Sequence, residues 1–354
     1  MLGILKKNPT NLFLISIPLA LISLWMHWGS VSVFIFSAIS VIPLAGYIGE
    51  ATEALAVHTG PKIGGVINAT LGNMAELIIT LVAINSGLVE LVKSSITGSI
   101  IGNLLLVLGF SMLFGGAKHG TQKFDKRQAT HNATLLTLAI LALAIPSFFS
   151  HSIGIEGSPK IETLSLGVAG VMIILYVLGM VYSLRSFNSP LSQPFEKEKA
   201  KLSVPHSIMI LAAATVGIVI MSELLVGAVE DVIKFWGLSE FFMGIILIPI
   251  IGNAAEHLVS VQVALRNKMD LSVEIAVSSS LQVALFVAPF LVFISLVMGH
   301  PISLVFNLFE LTALIAAVLI VILVSSDGES NWLEGAALLA VFSILSIAFF
   351  MLPA

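Results

Sequence analysis

Gly72-Asn73-Met74-Ala75-Glu76 and Gly252-Asn253-Ala254-Ala255-Glu256 repeat one pattern, Gly-Asn-x-Ala-Glu, inside long apolar stretches. Each places a carboxylate where a bilayer excludes charge, and an intramembrane acid marks a transport path by default. The motifs stand 180 residues apart (Glu76 and Glu256), and an ungapped alignment of 72–110 on 252–290 sets Ser99 against Ser279, Leu105 against Leu285, Val107 against Val287 and Phe110 against Phe290. The chain therefore carries a duplicated unit.

Composition fixes the solvent of that unit. Hydrophobic residues make up 57% of the chain and charged residues only 10%, against roughly 25% charged in a soluble domain. The chain has no cysteine, which excludes a disulfide framework and thiolate metal sites. The formal net charge of −4 says little, because in a membrane protein the placement of charge outweighs its sum.

Windows of about 20 residues, matched to a hydrocarbon core about 30 Å thick, predict spans near 12–28, 31–57, 64–88, 94–116, 129–150, 162–184, 206–229, 241–265, 271–298, 302–325 and 332–352. The first is read as a retained span, since it lacks a small-x-small cleavage site and a second apolar segment follows at once. With the N-terminus inside, the inner segments hold Lys6, Lys7, Lys62, Lys118, Lys123, Lys126, Arg127, Arg185, Lys197, Lys199, Lys201, Arg266 and Lys268, and the outer ones Lys93, Lys160 and Lys234. Thirteen against three satisfies the positive-inside rule. One helix more or fewer would scramble the asymmetry.

The longest interruption, 186–205, contains Pro190, Pro194, Pro205 and the run Glu196-Lys197-Glu198-Lys199; it reads as a cytoplasmic linker. The expected organisation is an all-α integral membrane protein of about 11 transmembrane helices: an accessory helix in 1–30, a first five-helix repeat in 31–185, the linker in 186–205 and a second repeat in 206–354. An odd helix number per repeat makes the second enter from the opposite side, so the repeats are inverted. Inverted repeats bring their motifs to the bilayer midplane, the usual arrangement of a secondary transporter. Pro249, three residues before Gly252, and the small run Ala69-Thr70-Leu71-Gly72 are expected to bend or unwind the helices there and to free backbone carbonyls.

Asn73 and Glu76, and likewise Asn253 and Glu256, are three residues apart and share a helical face; Ser99 and Asn103 share one at four. Ser278, Ser279 and Gln282 occupy the matching helix of the second repeat. Carboxylates, amides, hydroxyls and carbonyls form a hard-oxygen set suited to Ca²⁺ and, less distinctively, to Mn²⁺ or Na⁺. A divalent cation and protons would compete for two close carboxylates. His257, beside Glu256, reads as a proton gate or relay at physiological pH, with plain packing the competing account; no H-E-x-x-H pattern surrounds it. Glu50, Glu53, Glu223 and Glu230 in the first helix of each half, and Glu310 in a late helix, are read as vestibule acids that attract cations, against the plainer account of solvated helix ends. Lys126-Arg127 reads as an inner-leaflet anchor, not a nucleic-acid patch. No second histidine is at hand to hold a metal-bound water, so an intramembrane enzyme is not expected.

Gly252-Asn253-Ala254-Ala255-Glu256-His257, continuing through Lys268-Met269-Asp270-Leu271 to Ser278-Ser279-Ser280-Leu281-Gln282 and Phe286-Val287-Ala288-Pro289, closely resembles the second signature of the calcium/proton (cation/proton) exchangers. Gly72-Asn73-x-Ala75-Glu76, Gly98-Ser99 and Asn103 to Gly109 resemble the first, and Asp327 to Gly335 resembles the family's last loop. The resemblance implies a Ca²⁺/H⁺ antiporter of the wider cation/Ca²⁺ exchanger superfamily, with Glu76 and Glu256 as central ligands and proton carriers and Asn73, Asn253, Ser99, Asn103, Ser279 and Gln282 lining the site. It implies no cofactor, with Ca²⁺ as cargo, and partners limited to Ca²⁺, H⁺ and lipid, a homo-oligomer being an allowed state. A Na⁺/Ca²⁺ exchanger and a Mn²⁺-preferring exchanger share the architecture. Glu274 and Ser278 depart from the family pattern, which often has small residues there. The short N-terminus favours a prokaryotic plasma membrane, with the N-terminus cytoplasmic and the C-terminus outside.

Overall fold

The computed structural model describes residues 9–154, 156–185 and 202–352, so most of the expected linker, 186–201, lies outside the described residues. Almost everything described is helix. A 3₁₀ turn, Pro9–Ile15, leads into α1 (Ser16–Trp25). There follow α2 (Ser30–Leu71), α3 (Met74–Asn85), α4 (Val89–His119), α5 (Lys126–Ile153) and α6 (Pro159–Arg185). After the linker come α7 (Val204–Trp236), α8 (Glu240–Gly252), α9 (Ala254–Ala264), α10 (Met269–Val297), α11 (Leu308–Val324) and α12 (Trp332–Phe350). The strands β1 (Gln122–Lys123) and β2 (Glu329–Ser330) pair antiparallel and join two loops.

Among the described residues seven helices are long and apolar enough to cross a membrane, or eight if the bent pair α8 and α9 is one span. Their outward faces are apolar: Val171, Ile174 and Leu178 on α6 and Val216 on α7 are each at least half exposed. Exposed apolar surface of this extent belongs in lipid, and the chain is an integral membrane protein.

The helices fall into two compact units. One comprises the residues up to Ser86, Val177–Leu238 and Ile251–Ala255; in it α2 and α7 pack along each other, with α1 and α3 laid against the pair. The other comprises Gly87–Tyr176, Ser239–Ile250 and the residues from Glu256 onward; in it α12 and α11 pack on α4, and α5 packs on α10. Close approach in the second unit depends on glycine. A Cβ on Gly98 would overlap the Ile245 carbonyl, and one on Gly244 would overlap the Ser94 hydroxyl, so α4 and α8 touch backbone to backbone.

Both motif helices are broken where the sequence predicts. α2 is interrupted at Gly60, whose φ of 82° lies in the left-handed region open to glycine. It ends at Leu71, and α3 restarts at Met74 after the turn Gly72-Asn73. At the other motif α8 and α9 meet at Asn253 with a 60° bend. Less expected are three π-helical segments inside α4, α8 and α10: Gly102–Val107, Met243–Leu247 and Val283–Val287. Wide turns of this kind concentrate at functional sites.

One placement corrects the loop-charge reading. Lys93, assigned to an outer loop, lies inside α4 with its side chain only 5% exposed. It is tolerated there because the Glu156 carboxylate, from the α5–α6 connection, takes its ammonium at 2.7 Å.

Candidate functional site

The two motifs are built alike. Asn73 is the residue before α3 and is buried; its carbonyl accepts the Leu77 N–H at 2.9 Å. Glu76 sits in the first turn of α3 and is 3% exposed. Asn253 is the buried residue at the bend, and Glu256 sits in the first turn of α9, half-buried. Each glutamate thus occupies the N-terminal turn of a half-helix, where backbone N–H groups point outward and the helix dipole suits a negative charge.

Gly252 joins the motifs. A methyl at Gly252 would lie 3.6 Å from the Glu76 Cα and 3.7 Å from its Cβ, so the glycine of the second motif rests against the glutamate of the first. Below Glu76, the Thr80 hydroxyl donates to the Glu76 backbone carbonyl at 2.9 Å, a back-bond of the kind that slightly bends a helix.

On the other motif, Ser279 of α10 donates its hydroxyl to Glu256 Oε2 at 2.8 Å, and Asn103 Nδ2 donates to Ser279 Oγ at 3.1 Å. This chain, Asn103 to Ser279 to Glu256, links three helices through groups that are all oxygen donors toward a cation except for the amide NH₂. Asn103 lies in the π segment of α4, which swings its side chain out of the ordinary helical register. Ser99 is buried on α4, and Gln282 is the last residue before the π segment of α10, half-buried. The structure therefore joins Asn103, Ser279 and Glu256 directly. His257, next in chain to Glu256, is half-buried. Among the described residues no three His, Asp or Glu side chains converge as a metal cage. Oxygen from amides, hydroxyls and backbone has to complete any cation's shell.

The expected vestibule acids divide. Glu50 is half-buried and Glu53 exposed on α2. Glu223 is exposed on α7 and lines a cavity of about 320 Å³ with His27, Ser30 and Val33; Glu230, also exposed, pairs with Lys234 at 3.6 Å. Glu310 differs from a solvent-facing acid: it is fully buried, its Oε2 accepts the Asn307 N–H at 2.8 Å, and Asn307 Oδ1 accepts the Glu310 N–H at 2.9 Å. This is a capping box at the start of α11, and its Asn-x-x-Glu spacing was available in the sequence. Glu274, the departure from the family pattern, accepts the Asn132 Nδ2 at 2.9 Å from α5.

A family model described as sodium/calcium exchanger protein matches residues 29–185 and 206–351. The chain is 45% identical to the Ca²⁺/H⁺ antiporter ChaA of Bacillus subtilis over 95% of its own length and 97% of that protein. It is 44% identical to a Ca²⁺/H⁺ antiporter of Aphanothece halophytica, with 96% of this chain and 95% of the relative covered. Among solved structures it superposes on native YfkE with a TM-score of 0.84 at 42% identity, over 96% of this chain and 100% of that one. The H⁺/Ca²⁺ exchanger CAX, at 15% identity and a TM-score of 0.73 over 97% of this chain and 91% of that one, shares the fold. By a match that spans both halves and by relatives alike along nearly their whole length, the chain belongs to the sodium/calcium exchanger protein family.

Proposed function

We propose that the protein is a secondary active antiporter that moves Ca²⁺ out of the cytoplasm in exchange for H⁺, with Glu76 and Glu256 binding either the cation or protons. The observation that carries this reading is the hydrogen-bonded set Asn103–Ser279–Glu256, with the glutamate in the first turn after a broken helix. Such a set offers hard oxygen to Ca²⁺ and, once the cation leaves, carboxylates that accept protons. Asn73, Asn253, Ser99 and Gln282 complete the lining in this proposal, and His257 gates or relays protons. Glu50, Glu53, Glu223 and Glu230 draw cations toward the entrances.

Eleven spans are part of the proposal. The shorter helices Thr10–Trp25, Met74–Asn85 and Leu308–Val324 supply the spans beyond the long ones. The repeats are 31–185 and 206–354, inverted about the midplane, with the N-terminus cytoplasmic, the C-terminus outside and a prokaryotic plasma membrane as host. In alternating access the first helices of the two halves, α2 and α7, move against the motif-bearing core and open it to one side at a time. The proton gradient then drives Ca²⁺ outward. Ca²⁺ is cargo rather than cofactor, and no covalent chemistry is assigned to the chain.

Ca²⁺ flux in proteoliposomes under an imposed pH gradient, with and without Na⁺ and with Mn²⁺ as competitor, tests this. Flux that follows the pH gradient and ignores Na⁺ is expected. Flux that needs Na⁺ moves the protein to Na⁺/Ca²⁺ exchange, and preferential Mn²⁺ transport changes the cargo.

A further inference from the structure

A cavity of about 200 Å³ lies between the start of α5 and the end of α11, both in the second unit. Thr130, Thr134 and Thr137 line its α5 wall, and Lys126 precedes Thr130 by four residues. Spacings of four, four and three put all four side chains on one helical face, a cation above three hydroxyls. Those hydroxyls donate back into their own helix, to the Lys126, Thr130 and Ala133 carbonyls at 2.8, 2.9 and 2.8 Å, so they hold no free proton for a ligand. Ser325 and Ser326, at the end of α11, line the other wall. Ser325 is 5% exposed, and its Oγ has no hydrogen-bond partner among the described residues. A buried hydroxyl left open in this way costs free energy that a ligand oxygen would recover.

Farther along both helices the outward surface turns apolar: Leu138 and Leu141 on α5 and Leu319 and Leu323 on α11 are each about half exposed or more. Trp332, 53% exposed at the start of α12, follows β2, which pairs with β1 at this same end, and an exposed tryptophan there marks the headgroup level. Loop charges assign this end to the inner face. The charges at the cavity mouth leave a surplus of cations. Asp125 accepts the Arg127 and Gln128 N–H groups at 2.8 and 3.1 Å, so the N-terminus of α5 is already capped. Lys123 pairs with Glu329 at 3.2 Å. Lys126 and Arg127 are exposed, and neither pairs with a carboxylate among the described residues. The acid next to Ser326 is Asp327, whose Oδ1 accepts the Glu329 N–H at 3.0 Å.

We propose that this groove binds one anionic phospholipid of the inner leaflet. Lys126 and Arg127 hold its phosphate together with the Ser325 and Ser326 hydroxyls, and an acyl chain runs along Leu323 and Leu138. Basic pockets between membrane helices at the cytoplasmic face take such headgroups. A zwitterionic lipid brings its own cation against Lys126 and Arg127 and gains less. The bound lipid bridges α5 and α11, and its recognition is independent of which ions the protein carries.

Delipidated full-length protein in neutral detergent is titrated with phosphatidylglycerol or phosphatidylcholine, and bound lipid is counted by native mass spectrometry. Wild type is expected to retain one phosphatidylglycerol at about tenfold lower lipid concentration than phosphatidylcholine, the scale of one charge-assisted hydrogen bond. Lys126→Gln and Ser325→Ala should each remove that preference and leave phosphatidylcholine binding unchanged. Thr134→Phe fills the groove from an exposed position and should remove the preference with every charge in place. Equal binding of the two lipids by wild type overturns the proposal, as does a preference that survives Lys126→Gln or Thr134→Phe. Ser325→Ala breaks no hydrogen bond of the lipid-free protein, so its Tm without added lipid should equal that of wild type. A lower Tm there would assign the hydroxyl to the fold and overturn its place in the site.

Discussion

Glu76 and Glu256 come from the same five-residue motif and occupy the same first turn of a half-helix, yet their surroundings differ. Glu76 is 3% exposed with a glycine backbone against it, whereas Glu256 is half-buried and held by the Ser279 hydroxyl. The sequence duplication supplies the carboxylates in pairs; the helices around them do not repeat with the same symmetry. Asymmetry of this kind suits a carrier, because two ligands of identical strength toward cation and proton would give no preferred order of release.

The largest expected effect tests whether the carboxylates are equivalent in function. Glu256→Gln and Glu76→Gln should each reduce Ca²⁺ flux by about 100-fold or more, the scale of removing one charged ligand from a low-dielectric site, with unchanged elution in detergent. Retained flux in either single variant breaks the pairing. Next comes the glycine contact between α4 and α8: Gly98→Ala forces a methyl into the Ile245 carbonyl and should cost about 1–3 kcal/mol, read as a drop in Tm. Ser279→Ala removes both the donor to Glu256 and the acceptor for Asn103, and about 1 kcal/mol per lost hydrogen bond predicts roughly a five- to thirtyfold weaker apparent Ca²⁺ affinity. Ser99→Ala, its partner by alignment, should do less if the asymmetry holds. The smallest effect belongs to Gly252→Ala, whose methyl meets Glu76 at ordinary van der Waals distance. A Tm within about 1 °C of wild type is expected, and a large loss of flux there would show that the two motifs need closer approach during transport than in this conformation.

Much of this was legible beforehand for physical reasons. Gly72-Asn73 and Pro249 with Gly252-Asn253 announce helix breaks because these residues favour or force departures from helical backbone. The Ser and Asn spacing on α4 and α10 announces a polar face. The π segments were not legible, since Gly102–Val107 and Val283–Val287 read as ordinary apolar helix and the register change leaves no mark in composition. Lys93 was misplaced because a charge near a span end looks like a loop charge until its partner is known, and the full burial of Glu310 in its late helix was not legible for the same reason. The partner of Lys93, Glu156, is 63 residues away, and Thr97, whose hydroxyl donates to Glu310, is 213 residues from it.

The π segments have a consequence for chain length. Each closes its hydrogen bonds over five residues instead of four, so deleting one residue, Leu104 for instance, would let α4 relax to a regular helix. Because the wide turn already holds the extra residue, the helix on either side would keep its face and nearly its length, and the change would be confined to which side chain the turn presents. Insertion or deletion of a single residue at these three places is therefore tolerated by the rest of each helix while changing the side chain and the backbone carbonyls that the wide turn offers.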